Sequence, residues 1–278
     1  MATKNPRRLD HEGEDERMQQ WARSIPQRLF KYMPLDGERL GWARRLIVES
    51  MLYFRSPSSF NDPFDCRIAP SFDASAMVID AYWREYLREQ GKKARDHRAD
   101  LKKLILRSKT PRGQEVLTQS IFKTIDRAGT ACFAKSTTSI LMWSYYAAGH
   151  RGITVRFNTS PEQIANVQRT FLPIEVTYAN EFPRINFYKR KETEFVRSVL
   201  GTKAKAWQHE EEWRFVLVNE IGYLRMPMGM IDGVVLGLRT SPEDEQSIRE
   251  FIAESGRRIE LLRVVHKPNS FILELQPP

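Results

Sequence analysis

The chain is poor in cysteine, with only Cys66 and Cys132 in 278 residues. Two thiols alone build neither a disulfide framework nor a zinc site, and a reducing, cytoplasmic location is expected. No apolar run approaches the roughly 20 residues of a membrane-spanning helix, because charges interrupt every one, so no membrane partner is expected. The stretch from Met1 to Arg28 has no apolar centre, and no secretory signal is read there. The glycine patterns of phosphate-binding and dinucleotide-binding loops are missing. So are HExxH, GxSxG and any internal repeat. These absences remove the enzyme classes with the plainest signatures.

What is present is a basic, globular composition. Hydrophobic residues make up 41% and charged residues 28%, with a formal net charge of +9. Such a surface attracts nucleic acid, nucleotides and other polyanions without selecting among them. The concentration of Lys and Arg between Arg84 and Arg112 reads most simply as solvated helix faces.

Residues 1–27 are rich in charge and poor in core-forming side chains, which predicts a flexible N-terminal arm. Residues 28–278 read as a single domain. Arg28 to Met33 is a short strand ended by Pro34, and Asp36 is placed to cap a helix running to about Ser50. A second strand follows at Met51 to Phe54. Residues 74–128 carry helical spacing throughout, with Ile79, Trp83 and Leu87 on one stripe and Ile121 and Ile125 on another. Strands are predicted at Thr130 to Phe133, Ile153 to Phe157, Leu172 to Tyr178, Gly233 to Leu238, Leu261 to Val265 and Phe271 to Leu275. Ser139, Ser160 and Ser241 open helices, and another helix covers Lys189 to Gly201. With no regular βαβ alternation, the fold class is α+β. A mixed, mostly antiparallel sheet forms the core, and 74–128 is an inserted helical segment.

The chemistry concentrates in Lys205 to Val218. Glu210, Glu211 and Glu212 stand directly before a strand-like run, flanked by Trp207 and Trp213. A period of two puts Trp213, Phe215 and Leu217 on one face and Glu212, Arg214 and Val216 on the other. Glu210 and Glu212 on one side would repel, so a cationic or protic group is expected between them. The plainer alternative is a solvated turn with Arg214 as a structural ion-pair partner.

Two other segments add candidates. The irregular loop Ser56 to Cys66 holds two prolines and two phenylalanines. Its Asn61, Asp62 and Asp65 either brace the loop or face a ligand. The segment from Ser136 to Gly152 sets Trp143, Tyr146 and His150 beside four hydroxyl side chains. That suits a flat polar ligand, and equally suits a core helix.

Four segments together carry a family resemblance. They are Leu29-Phe30-Lys31-Tyr32; Phe60 to Cys66; Cys132-Phe133 with Met142 to Ala147 and His150 to Gly152; and Lys203, Trp207, Glu210, Glu212, Trp213 and Arg214. They resemble the bacterial family catalogued as domain of unknown function 2971, over roughly residues 28–275. A further likeness is to ADP-ribosyltransferases. These grip NAD from a first strand, use a hydroxyl or aromatic element on a middle strand, and place a glutamate at the head of a late strand.

In that likeness Lys31 and Tyr32 stand first, Phe133 with Ser136 and Tyr146 second, and Glu210 to Glu212 third. It implies NAD as substrate and Glu212 as the carboxylate that stabilises positive charge on the ribose. Glu210 would orient or deprotonate the acceptor, Trp143 and Tyr146 would wall the base, and Ser136 would fix the ribose or amide. Arg214 or Lys31 would meet the pyrophosphate. The implied setting is a bacterial defence or toxin-type effector. The alternatives carried forward are a non-catalytic nucleotide or nucleic-acid binding protein, and a metal-dependent hydrolase or nuclease built on Asp62, Asp65 and the glutamates.

Overall fold

The computed structural model describes residues 23–91, 97–167, 170–189 and 192–278. From the N-terminal side the elements are β1 (Arg28–Met33), α1 (Arg39–Glu49), β2 (Met51–Phe54) and β3 (Ala69–Ser71). Three helices follow: α2 (Ala76–Glu89), α3 (His97–Ser108) and α4 (Pro111–Ile125). The middle of the chain gives β4 (Gly129–Ala134), α5 (Ile140–Tyr146), β5 (Ile153–Asn158), α6 (Pro161–Val167), β6 (Leu172–Glu175), β7 (Thr177–Ala179) and β8 (Arg184–Asn186). Then come α7 (Glu192–Leu200), β9 (Thr202–Ala204), a 3-10 turn at Lys205–Glu210, β10 (Glu212–Leu217) and β11 (Gly222–Arg225). The chain closes with β12 (Ile231–Leu236), α8 (Pro242–Glu254), β13 (Glu260–His266) and β14 (Leu273–Gln276).

The fold is α+β around an eight-stranded sheet in the order β14-β13-β12-β5-β1-β4-β10-β6. Every pairing in it is antiparallel except β12 with β13. Alternation along the strands separates two faces, as a period of two requires. On one face Leu29, Phe133, Val155, Phe215 and Val234 pack with Ala43 and Ile47 of α1, Ile164 of α6 and Ile248 of α8. On the other, Ile174 and Val216 bury the helical layer of α2, α3, α4 and α7 at one end. Val235 and Val264 bury Trp143 of α5 and Ala147 directly after it at the opposite end. Between these two blocks lies the middle of the sheet.

That middle has a weak seam. β4 and β10 run in register over six pairs, from Glu212 opposite Ala134 to Leu217 opposite Gly129. β1 and β5 likewise pair along their whole length. β1 meets β4 only at Phe30 opposite Ala134. The two halves of the sheet part on either side of that pair.

Local chemistry starts several helices, at Ser139 and Ser241 where the sequence indicates. Ser139 accepts from Met142 N–H, Ser241 from Asp244 N–H and Thr110 from Gly113 N–H, each satisfying an orphan donor of the first turn. Asp36 does not cap α1, which begins only at Arg39. Its carboxylate takes the Arg39 guanidinium instead, at 2.9 Å. The single strand expected from Leu172 to Tyr178 is broken at Val176, whose N–H donates to Glu212 O, so that β7 leaves to pair with β9. The expected arm falls mostly outside the described residues. Its last part is docked, with Ile25 buried in the core and Thr159 N–H donating to Gln27 O at 2.9 Å. The linker expected near Gly91 to Arg98 also lies largely outside the described residues.

Candidate functional site

β10 begins at Glu212 because Glu211 takes a left-handed conformation (φ 44°) after the 3-10 turn. That twist brings Glu210 back over the strand, beside Glu212. Between them stands Lys203, carried there by the short parallel pairing of β9 with β7. The Lys203 ammonium binds the Glu210 carboxylate directly and reaches Glu212 Oε2 at 3.1 Å. This is the cation that two adjacent carboxylates require.

Behind Glu212 the charges continue inward. Arg214 has no exposed surface. It donates to Glu212 at 2.8 and 3.0 Å and to both oxygens of Asp65 at 3.0 and 2.6 Å. A further N–H goes to Leu200 O at 3.0 Å. With planar forks on both sides, its donors are well used, as a buried guanidinium demands. The ring of Trp207 lies 5.2 Å from the Lys203 ammonium, and its indole N–H donates to Asp62 Oδ2 at 2.8 Å. Tyr178 accepts the Glu212 N–H at 2.8 Å.

The two glutamates are driven in opposite directions. Burial raises both. For Glu212, the charges of Arg214 and Lys203 then prevail and hold the carboxyl down at about 2. For Glu210, burial is opposed by Lys203 but reinforced by the charge of Glu212, and the carboxyl stays above its ordinary value. Tyr146 donates its hydroxyl to Glu210 Oε1 at 2.5 Å, and the Asn61 side chain bonds the same hydroxyl. Burial and the bond to Glu210 push that phenol up, so it stays protonated and acts as a donor. The Cys132 thiol, raised well above its usual value by burial, is hydrogen-bonded to Glu212.

This cluster forms one wall of a cavity of about 500 Å³, within the size range of small-molecule sites. Glu210, Glu212 and Asp65 line it together with Tyr146 and Tyr145 of α5, Asn61 and Phe60 of the loop, and Cys132 of β4. Lys31 and Tyr32 of β1 line it as well. The lining therefore comes from both faces of the sheet, beside the seam between β1 and β4.

Of the residues singled out by sequence, Lys31, Tyr32, Asn61, Asp65, Tyr146, Glu210 and Glu212 meet at this cavity. Six others do not line it. Trp143 is fully buried beneath α5 and gives its indole N–H to Thr137 O at 2.7 Å, so it supports the helix rather than walling a ligand. Ser136 closes a local turn, with its hydroxyl on Thr138 at 2.8 Å and its carbonyl accepting from Tyr32. His150 stacks on Trp143 with ring centroids 6.1 Å apart. Arg214 is enclosed by Asp65 and Glu212 and has no reach toward a phosphate. Asp62 and Trp207 hold each other behind the site.

Lys203 is the residue the candidate set lacked. It occurred only among the family positions. Its signal was the alternation of Thr202-Lys203-Ala204, which turns one lysine inward. Among the described residues no cluster of His, Cys, Asp and Glu is arranged to hold a metal ion. The carboxylates at the site already face Lys203 and Arg214.

An α+β protein with paired carboxylates on a central cavity is the class that fold and site define. The family model described as Protein of unknown function (DUF2971) matches residues 142–215, from the buried end of α5 to Phe215 of β10. This supports the family resemblance carried by Trp143, Lys203, Glu210, Glu212 and Arg214. No curated protein matches the chain, and no solved structure does. No helix among the described residues is long and apolar enough to cross a membrane.

Proposed function

We propose that this protein is an ADP-ribosyltransferase-like enzyme that opens the nicotinamide–ribose bond of NAD and transfers the sugar to an acceptor. One observation carries the reading. Two carboxylates share one lysine on a cavity wall, and their surroundings push one down to about 2 and the other up. Opposed tuning of neighbouring carboxyls is how acid and base roles are divided at one pH. As the bond breaks, its electron pair leaves with nicotinamide and positive charge develops on the ribose. Glu212, held ionised, supplies the fixed counter-charge. Glu210 takes the acceptor proton as the acceptor bonds to the sugar carbon, and Tyr146 steadies its carboxylate.

The test is to incubate purified protein with NAD and follow free nicotinamide by chromatography. Wild type is expected to release it, with Glu210→Gln slowed by about a hundredfold or more. Absence of release by wild type, or equal rates in wild type and variant, refutes the proposal. The formal charge of +9 supports a second reading, a non-catalytic nucleotide or nucleic-acid binder. That protein would bind with a steep salt dependence, and Glu210→Gln would leave it unchanged.

A further inference from the structure

The wall facing the carboxylates is basic, and its charges are not all accounted for. Lys31, Arg39 and Arg55 line the same cavity as Glu210. Arg39 is taken by Asp36 at 2.9 Å. Lys31 and Arg55 have no such partner: among the described residues, no carboxylate lies within ion-pair distance of either. Among the described residues the Lys31 ammonium hydrogen-bonds only a backbone carbonyl, Cys132 O, at 3.3 Å. Burial lowers Lys31, and the charge of Arg55 lowers it further, against the raising influence of Cys132 and Glu212. Two cations on one cavity, with no carboxylate at ion-pair distance from either, offer a place for an anion.

An aromatic platform stands beside them. Trp42 of α1 lines the cavity with its side chain 45% exposed, and no ring stacks on it among the described residues. An indole face lining the same cavity as two cations that lack carboxylate partners suits the chemistry of a nucleotide: phosphate on the cations, base on the ring. Tyr53 lines the same cavity, already paired with the Tyr223 ring in a tilted arrangement at 4.9 Å.

We infer that Lys31 and Arg55 form a phosphate subsite and Trp42 a base platform, so that the cavity takes a nucleoside diphosphate moiety on its basic side. The subsite stands independently of catalysis and rests on the proposed function only in assigning the ligand's sugar to Glu210.

The probes are ADP and adenosine, with binding to the full chain measured by titration calorimetry at low salt. The variants are Arg55→Gln, Trp42→Ala and Glu210→Gln. Arg55 has an exposed side chain, and its strand contacts to Thr130 are made by backbone atoms, so Arg55→Gln leaves the fold intact. ADP is expected to bind wild type and to lose about tenfold or more in affinity in Arg55→Gln, with adenosine indifferent to that change. Trp42→Ala is expected to weaken both probes. Glu210→Gln is expected to keep or strengthen ADP binding, because it removes a negative charge from the same cavity. Equal ADP affinity in wild type and Arg55→Gln, or no ADP binding to wild type at millimolar concentration, overturns the subsite. Retained ADP binding without nicotinamide release would instead remove the catalytic reading and leave the subsite standing.

Discussion

Replacing Arg214 with methionine tests the buried network directly. The guanidinium lies at 0% exposure between Asp65 and Glu212, with four bonds to their oxygens of 2.6 to 3.0 Å. Methionine fills much of the same volume but leaves two carboxylates facing an apolar chain, with Lys203 as their one remaining cation. Removing one side of a buried ion pair costs about 3–5 kcal/mol. The pH dependence gives an independent figure. Glu212 sits at about 2 in the folded protein against an ordinary 4.5, which corresponds to roughly 3 kcal/mol favouring the fold.

The sign is that of a depressed acid. This contribution is fully present above about pH 4.5 and is lost as pH falls towards 2. In Arg214→Met the carboxyl becomes a buried acid with a raised value. It then favours the fold below its unfolded value and opposes it as pH rises to neutrality. Urea unfolding followed by circular dichroism between pH 4 and 8 reads both quantities. The variant should be about 3 kcal/mol or more less stable at pH 7, with part of the loss recovered towards pH 5. A loss below about 1 kcal/mol at neutral pH, or a pH profile parallel to wild type, would show that the ion pairs do not hold the fold as described.

Three further outcomes follow from burial and exposure. Trp143→Ala should cost about 3–5 kcal/mol in denaturant unfolding, because it empties a fully enclosed indole site and breaks the bond to Thr137 O. Trp42→Ala, at an exposed position, should change stability by less than about 0.5 kcal/mol. Both thiols are pushed up by burial, so a disulfide reagent at pH 8 should modify Cys66 and Cys132 slowly in the native protein and at once in urea. Fast reaction of the native protein would contradict the raised state of these thiols.

The elements were readable wherever periodicity was strong. Trp213, Phe215 and Leu217 face one core and Val216 the other, as their alternation dictates. The helical segment 74–128 follows from stripes such as Ile79, Trp83 and Leu87, all buried. The site was only half readable. Repulsion between Glu210 and Glu212 demanded a cation, and the demand is met. The partner Asp65, however, lies 149 residues from Arg214 in the chain, a separation over which local patterning carries no information.

Trp143 misled for a different reason. Helix α5 has seven residues, too few for its period to tell a face turned to a cavity from one turned to a sheet. Trp42 and Arg55 escaped because nothing in their neighbourhoods is unusual until the fold brings them beside Lys31.

The sheet's single meeting point between β1 and β4 has a mechanical meaning. An eight-stranded sheet normally behaves as one plate, yet this one is two leaves whose backbone ladders meet at one pair, Phe30 opposite Ala134, with Lys31 reaching across to Cys132 O. Lys31 belongs to one leaf, and Glu212 and Cys132 to the other. A molecule seated across that line would touch both leaves at once, tying through itself what the backbone ladder joins at one pair.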